Sequence, residues 1–343
     1  MNYAIITVDT EGHDGVNPIE KLIWGKLSDD SYAGIDLIMD ITDNYGIKAL
    51  FFVDMAEAWD YGKENIKIII NHIRARGHVV GVHIHPDHMA DKSRLFLWEY
   101  SKEEQLTIIK KCTELYKEIT NESPKYFRAG KYSANFDTLD IINDLGYKYD
   151  FSQFMGQKWC GLKPALTADK PCRYKNLIEF PVSVFKSAET PIFKRYDKLD
   201  IEMVSSQYNY VIHKFSKINN NVIILFAHSF SFIKWRRNPD RPLLWKKNIR
   251  KFKSAILKVR KNKNINIISP DELEKLTTEG GLDISVEGNL EPQIKVKNYI
   301  LAYYFLLTTS IRILSYNKKA KIFFGLNMLI AIIIFSFVII KLY

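Results

Sequence analysis

The sequence predicts an α/β fold: a distorted (β/α) barrel of seven or eight parallel strands, followed by a C-terminal transmembrane helix. Three observations lead to this prediction. Short apolar runs alternate with longer helical patterns, which is typical of parallel strands joined by crossover helices. Polar residues directly follow several of these runs, at the strand ends where barrel active sites are assembled. A long uncharged segment lies close to the C-terminus.

The predicted strands are runs rich in apolar and β-branched residues. They lie near residues 4–9, 48–54, 79–85, 125–129, 147–152, 177–183, 221–228 and 265–269. Helical patterns lie between most of them, for example from Lys102 to Ile119 and from Leu243 to Val259. This number of strands favours a barrel over an open sheet, and no internal repeat is apparent.

The last part of the chain predicts a membrane anchor. Residues 322–340 form nineteen consecutive uncharged positions, close to the roughly 20 residues that cross the hydrocarbon core. Residues 299–314 are also apolar but include Arg312, so we expect an interfacial segment or a second span there. Three lysines precede the clear span and place that end on the cytoplasmic side: Lys318, Lys319 and Lys321.

Domain organisation and localisation follow from these segments. The chain of 343 residues is 47% hydrophobic, enough for one domain of about 250 residues plus an appendage. We expect the barrel over residues 1–276, a linker over 277–297 and the anchor over 298–343. The N-terminus shows no signal-peptide pattern, and the three cysteines have no disulfide or metal spacing. The prediction is therefore a membrane-anchored protein with a cytoplasmic catalytic domain.

The formal net charge of +10 is unevenly distributed along the chain. The stretch from Lys234 to Lys263 has thirteen basic residues and one acid, and the tail from Lys295 onward has seven basic residues and no acid. No RNA-binding motif, zinc finger or helix-turn-helix pattern accompanies this charge. We therefore expect an anionic membrane surface as the partner, and no nucleic acid.

Polar residues stand at the same end of the predicted strands. Asp9 and Glu11 follow the first strand, and His83 and His85 end the third. Three more polar residues end later strands: Arg128, Asp150 and His228. Because the carboxyl ends of parallel strands meet at one mouth of a barrel, we expect these side chains to lie together. Carboxylate and imidazole ligands suit a divalent ion such as Zn²⁺, so the pattern indicates a metal hydrolase.

Five short motifs, in this order, resemble those of the polysaccharide deacetylases, the NodB-homology domain of carbohydrate esterase family four. They read Thr-Val-Asp-Thr-Glu-Gly at 7–12, Ala-Leu-Phe-Phe-Val at 49–53, Gly-His-Val-Val-Gly-Val-His-Ile-His-Pro at 77–86, Phe-Arg-Ala-Gly at 127–130 and Leu-Phe-Ala-His at 225–228. The resemblance covers roughly residues 1–275.

The resemblance implies a role for each matching residue. Asp9 corresponds to the general base, and Glu11 and His83 correspond to metal ligands. Arg128 would hold Asp9 by a charge-assisted hydrogen bond, and His228 would donate a proton to the departing amine. The implied cofactor is a divalent metal, with Zn²⁺ as the expected ion.

The second imidazole ligand departs from the family pattern, which places it four residues after the first. Here that position is Asp87, with His85 and His88 on either side. Side chains at i and i+2 of a strand share a face, so His83 and His85 can bind one ion if the strand persists. We predict His85 as the remaining ligand, with Asp87 and His88 as alternatives.

The expected function is metal-dependent removal of N-acetyl groups from an amino-sugar-containing glycan or a lipid-linked glycan precursor. An anchor would concentrate the domain near a membrane-borne substrate. Two alternatives stay open: a related C–N hydrolase acting on a small non-sugar amide, and a catalytically inactive, membrane-tethered glycan-binding protein. The unusual histidine motif favours the inactive protein, whereas the full set of catalytic residues argues against it.

Overall fold

The computed structural model describes residues 1–12, 17–189, 194–200, 205–236, 239–284 and 290–314. The strands in these ranges are β1 (Asn2–Thr10), β2 (Leu50–Asp54), β3 (Val79–Ile84), β4 (Tyr126–Ala129), β5 (Tyr149–Asp150), β6 (Cys172–Tyr174), β7 (Leu177–Glu179), β8 (Val184–Glu189), β9 (Lys194–Lys198), β10 (Val222–His228), β11 (Ile233–Lys234), β12 (Leu243–Leu244) and β13 (Ile265–Ile267).

The helices surround these strands. They are α1 (Ile35–Asn44), α2 (Ala58–Tyr61), α3 (Lys63–Ala75), α4 (Lys102–Thr120), α5 (Phe136–Asp144), α6 (Ser205–Phe215), α7 (Lys246–Arg260), α8 (Pro270–Thr278) and α9 (Tyr299–Leu314). Short helical turns lie at Ile19–Ile23, Pro86–His88, Leu97–Glu99 and Gly130–Tyr132. The order confirms the predicted alternation of strands and helices.

One large sheet forms the centre of the fold. Its strand order is β10-β1-β2-β3-β4-β5-β7-β6, and β13 pairs with the start of β1. All of these pairings are parallel except the one between β6 and β7. Within the described residues, β10 and β6 end the path and do not pair with each other. The distorted (β/α) barrel predicted from the sequence is therefore present as an α/β half-barrel, whereas the predicted C-terminal transmembrane helix is corrected below.

The sheet is open because the later strands are short and partly antiparallel. β5 and β7 pair over only two residues each, and β6 returns antiparallel to β7. The following hairpin of β8 and β9 forms a separate two-stranded sheet. Closure of a barrel requires every strand to pair on both sides, and these short strands leave an edge instead.

Burial of both faces of the sheet explains why the central strands read as continuous apolar runs. Every residue of β2 is buried, and the interior of β1 is buried throughout. Helices on the outside cover one face, with α4 held at its start by a capping box of Ser101 and Glu104. Parallel sheets are covered on both faces in this way.

The prediction of a membrane anchor is corrected. No helix in the described ranges is both long and apolar enough to cross a membrane. The sixteen residues of α9 rise about 24 Å, whereas the hydrocarbon core is about 30 Å thick. The predicted span at 322–340 lies outside the described residues. The described residues therefore do not support the predicted membrane-anchored localisation or the membrane as a partner.

Helix α9, predicted as an interfacial segment or second span at 299–314, packs on the half-barrel instead. Phe305 is 1% exposed and meets the rings of Phe185 and Tyr210 at centroid distances of 6.2 and 5.6 Å. The side-chain amide of Gln207 donates to the carbonyl of Phe305 and to the hydroxyl of Thr309, both at 3.0 Å. These contacts fix the helix against β8 and α6.

The described end of the predicted linker (277–297) also contacts the domain. The backbone N–H of Lys186 donates to the carbonyl of Ile294 at 3.0 Å, and that of Val296 donates to the carbonyl of Lys186 at 2.9 Å. The hydroxyl of Tyr210 donates to the carbonyl of Lys295 at 2.9 Å. The proposed domain boundary near residue 276 stays a prediction.

Candidate metal centre and catalytic groups

The register of the central strands brings the predicted site residues together. Asp9 at the end of β1 lies opposite His228 at the end of β10. His83 at the end of β3 lies between Asp54 of β2 and Arg128 of β4. Parallel pairing aligns the carboxyl ends of these strands, so their polar residues meet at one edge of the sheet.

The closest group at this edge is formed by Glu11, His83 and His85. Glu11 Oε2 lies 3.1 Å from His83 Nε2 and 2.7 Å from His85 Nε2. Glu11 and His83 are buried, and His85 is nearly so. One carboxylate and two imidazoles with converging ligand atoms form a candidate site for a divalent ion.

The orientation of His83 fits a metal ligand. Its Nδ1–H donates to the backbone carbonyl of Arg128 at 2.9 Å, and its Nε2 faces Glu11 Oε2 at 3.1 Å, where a cation would take the place of the proton between them. Metal-binding histidines commonly donate their other ring N–H to a carbonyl or carboxylate in this way, because that bond fixes the tautomer. The donor set and this tautomer therefore fit the metal that the sequence predicts.

His85 has different surroundings, which sequence reasoning missed. The Lys131 ammonium donates to His85 Nδ1 at 3.0 Å, so the ring carries its proton on Nε2 and donates to Glu11. Binding of a cation at Nε2 requires this proton to leave, and its transfer to Nδ1 requires Lys131 to withdraw. The signal available in the sequence is the position of Lys131, three residues after Arg128 at the same strand end.

Ionisation of the cluster favours a cation. Burial raises the pKa of Glu11, but the charge of His85 and hydrogen bonds from His83 and His85 outweigh burial, so this pKa lies well below the usual value. Burial lowers the pKa of His83, but the charge of Asp9 and the hydrogen bond and charge of Glu11 raise it overall. The Glu11 carboxylate thus stays ionised, and its negative charge favours a cation beside it.

Asp9 is held by Arg128 at the back of the site. Arg128 is fully buried and contacts Asp9 Oδ1 through Nη1. Its Nη2 donates to the hydroxyl of Thr7 at 3.1 Å and its Nε donates to the carbonyl of Phe151 at 3.2 Å. The guanidinium also lies 4.2 Å from the ring centroid of Phe52. These four contacts allow Asp9 only a narrow range of orientations.

His228 ends β10, where it is the register partner of Asp9 on β1. Its Nε2 is 3.7 Å from Glu11 Oε1, and its ring stacks on Phe230 with centroids 4.8 Å apart. Burial lowers the pKa of His228 to about 4, against the opposing charge of Glu11 and together with that of Lys198. The imidazole is therefore neutral near pH 7 in the absence of a metal.

The remaining candidates from the sequence lie outside this cluster. His88 is 2.6 Å from Asp60 rather than beside Glu11, and Asp87 is buried without joining the group of Glu11. Asp150 accepts from the hydroxyl of Ser152 at 2.6 Å and shares its surroundings with Glu179 on β7. The structure thus brings His85, and not Asp87 or His88, beside the first imidazole.

A second group of possible ligands lies next to the first: Asp54, Glu57 and His88. Glu57 had no signal in the sequence, because it begins a helix rather than ends a strand. Its Oε1 accepts from the backbone N–H of Gly12, the residue after Glu11. The two groups are therefore connected through the backbone next to Glu11.

Comparison with known families agrees with the motifs. A family model described as polysaccharide deacetylase matches residues 26–149, which contain the histidine motif and Arg128. The two carboxylates of the first motif and His228 lie outside the matched residues. No curated protein matches the chain by sequence.

Solved structures share the fold at low sequence identity. The "putative polysaccharide deacetylase from Mycobacterium smegmatis" is 14% identical, with a TM-score of 0.54, covering 82% of this chain and 92% of that one. A family 4 carbohydrate esterase from Streptomyces lividans is 10% identical, with a TM-score of 0.39, covering 77% and 90%. A pseudoenzyme of the same family from Bacillus anthracis is 14% identical, with a TM-score of 0.40, covering 79% and 63%. Of these three, the Mycobacterium smegmatis structure supports the α/β fold, and that likeness extends to the fold alone.

Proposed function

Because the chain belongs to the polysaccharide deacetylase family (NodB-homology, carbohydrate esterase family four), we propose that it is a metal-dependent hydrolase that removes N-acetyl groups from an amino-sugar-containing glycan. The observation that carries the proposal is the geometry of Glu11. This carboxylate faces the Nε2 atoms of two histidines at 2.7 and 3.1 Å, beside an Asp9 that is fixed by a buried arginine.

The proposed ligands are Glu11, His83 and His85. A divalent ion bound by them, with Zn²⁺ as the expected one, supplies Lewis acidity that polarises an acetyl carbonyl and makes water more acidic. Asp9 acts as the general base that takes a proton from the attacking water. Arg128 keeps Asp9 oriented through its contacts with Thr7 and Phe151.

His228 is the proposed proton donor to the departing amine. It is neutral before the reaction, because its pKa is lowered to about 4, chiefly by burial. The proton that Asp9 takes from the attacking water is the one that has to reach this imidazole, which holds it weakly and passes it to the more basic departing amine. Stacking on Phe230 holds the ring in place for this transfer. The products are acetate and a free amino sugar.

The substrate class is a glycan carrying N-acetylated amino sugars. A lipid-linked glycan is no longer proposed, because its only argument was the predicted membrane anchor. The decisive measurement is acetate release from chito-oligosaccharides by the purified chain, before and after treatment with a chelator and after addition of Zn²⁺. We expect release that stops with the chelator and returns with the metal. If no N-acetylated glycan releases acetate at any metal concentration, the result favours the inactive glycan-binding protein instead.

Two substitutions separate the proposed ligands from the proposed base. His83→Ala should lose at least tenfold in metal affinity together with activity, because an imidazole ligand is removed. Asp9→Asn should retain the metal and lose acetate release, because the base is lost while the ligands remain. Metal content and turnover are measured on the same preparations.

The matched control for these substitutions is His213→Ala, which removes an exposed histidine of helix α6. It should change neither metal content nor turnover. If Asp9→Asn loses metal as fully as His83→Ala, Asp9 is a ligand and the proposed division of roles is wrong.

A further inference from the structure

A second buried cluster lies beside the candidate metal centre and takes no part in the proposed reaction. Asp54 ends β2, Glu57 precedes α2, and His88 lies in the short turn after β3. Asp54 and Glu57 are fully buried, and the His88 side chain is 8% exposed. One potential ligand atom from each residue lies within 4.8 Å of the other two.

Both carboxylates direct an unpaired oxygen into this cluster. Asp54 Oδ1 accepts from the backbone N–H groups of Ala56 and His85, at 3.0 and 3.3 Å, whereas Oδ2 has no hydrogen-bond partner among the described residues. Glu57 Oε1 accepts from Gly12, and Oε2 is likewise without a partner in the described ranges. Buried carboxylate oxygens without a partner are costly, so their presence points to a bound cation or proton.

The third ligand, His88, is oriented as metal ligands are. Its Nδ1–H donates to Asp60 at 2.6 Å, and Asp60 in turn pairs with Lys92. This bond places the proton on Nδ1 and leaves the lone pair of Nε2 facing Asp54 Oδ2 at 4.0 Å. That separation is too long for a direct hydrogen bond but suits two ligands on either side of one ion.

We propose that Asp54, Glu57 and His88 form a second divalent-cation site, separate from the site of Glu11, His83 and His85. Two carboxylates and one neutral imidazole balance the charge of a divalent ion. A donor set of two oxygens and one nitrogen suits Mn²⁺ or Zn²⁺. The Asp60 carboxylate fixes the imidazole, as a hydrogen-bonded carboxylate does for many histidine ligands.

The second site stabilises the first through shared contacts. Glu57 holds the backbone N–H of Gly12, and Asp54 holds that of His85. A cation that fixes Glu57 and Asp54 therefore fixes the segment that carries Glu11 and the backbone of one imidazole ligand. The competing occupant is a proton on Glu57, whose pKa is raised well above the usual value by burial and then by the charge of Asp54.

Metal stoichiometry of the full chain tests this inference. The purified protein is stripped with a chelator and titrated with Mn²⁺ or Zn²⁺, and bound metal is counted by elemental analysis. We expect two equivalents for the unchanged chain. Glu57→Gln and His88→Gln should each lower the affinity for one equivalent at least tenfold and leave the affinity for the second unchanged. His83→Ala should instead remove the equivalent bound by Glu11, His83 and His85.

The matched control is His72→Gln, which removes an imidazole from another histidine–aspartate pair, 2.6 Å from Asp36 on the outer helices. It should leave two equivalents. Glu57→Gln is close to isosteric, and its thermal unfolding shows whether the variant is folded. Crystals of the unchanged chain soaked in Mn²⁺ give a second measurement, an anomalous peak between Asp54, Glu57 and His88.

Each outcome decides the proposal. Two equivalents with the expected pattern of losses, or the anomalous peak at the three residues, support it. The proposal is overturned if the chain binds a single equivalent that only His83→Ala removes and the second cluster shows no anomalous peak. In that case a proton on Glu57 neutralises the buried carboxylate. A single equivalent that only His88→Gln and Glu57→Gln remove supports the second site and counts against the first.

Discussion

Gly130 stands where the ring of His85 packs against strand β4. A Cβ at this position would lie 2.6 Å from His85 Cδ2 and 2.6 Å from the carbonyl oxygen of Ile84. The side of the ring and the backbone of β3 leave no room for a methyl group, so a larger residue has to displace the imidazole. Glycine at this position is therefore part of what places His85 beside Glu11.

We expect Gly130→Ala to weaken metal binding at least tenfold and to lower acetate release in proportion. The free energy of unfolding should fall by about 1–3 kcal/mol, as for other overpacked sites. The control is Gly146→Ala, where φ is +87° and no atom lies within 4 Å of an added Cβ. It should cost stability through backbone strain and leave metal binding unchanged. Equal metal affinity in both variants would contradict the steric argument.

Lys131 gives a prediction of opposite sign. Its ammonium donates to His85 Nδ1 at 3.0 Å and thereby opposes the binding of a cation at the same ring. Lys131 and Tyr132 adopt φ values of 52° and 59°, which non-glycine residues adopt rarely. We expect Lys131→Met to raise metal affinity several-fold, measured by competition with a chelator. Lower affinity would mean that Lys131 supports the ligand rather than competes with the ion.

At the scale of elements, a buried histidine that has no part in the site directly precedes strand β3. His78 Nδ1 accepts from the backbone N–H of Ala49, which joins the starts of β2 and β3. Burial lowers the pKa of His78 to about 4, against the opposing charge of Asp43. The folded state therefore keeps this imidazole neutral at pH values where the unfolded chain binds a proton.

This difference predicts a pH dependence of stability. Between about pH 6.5 and 4 the unfolded state binds more protons at His78, so its contribution to stability falls as the pH falls through this window. Between pH 7 and 5 the loss should be roughly 2 kcal/mol. His78→Asn keeps an acceptor for Ala49 and removes the titration. We expect urea unfolding to lose less stability in this variant than in the unchanged chain. Parallel curves for the two proteins would rule out His78 as the cause.

The sequence predicts the parallel strands because each is a short buried run with a polar residue at its end. The runs near 4–9, 48–54, 79–85 and 221–228 correspond to β1, β2, β3 and β10. The hairpin of β8 and β9 was not predicted, because β9 is a half-exposed strand rich in charge and lacks an apolar run. Strands of this kind are defined by their pairing partner rather than by their own composition.

Some residues of the candidate site could likewise be predicted from the sequence, and others could not. Asp9, Glu11, His83 and His228 could be predicted, because each lies at or just beyond a strand end in a short motif. Lys131 and Glu57 could not, because one depends on an uncommon backbone turn and the other approaches from the start of a helix. The choice of His85 over Asp87 and His88 depended on where β3 ends, which spacing alone does not determine.

At the scale of the whole molecule, the position of α9 decides how the C-terminal part of the chain is understood. Its composition is apolar enough to suggest a membrane segment, and composition does not distinguish such a segment from a helix packed on a domain. Its contacts are with residues about a hundred positions earlier, such as Gln207, whose side chain holds the carbonyl of Phe305. Only the three-dimensional structure supplies those partners.

The packing of α9 predicts that its buried face stabilises the half-barrel. Phe305→Ala removes a ring that is 1% exposed and contacts Phe185 and Tyr210, so the free energy of unfolding should fall by about 3 kcal/mol. Ile300→Ala removes an apolar side chain of the same helix that is 71% exposed, and it should change stability by less than about 0.5 kcal/mol. Both are measured by chemical unfolding of the full chain under identical conditions. If the two variants lose the same stability, α9 does not pack on the half-barrel in solution.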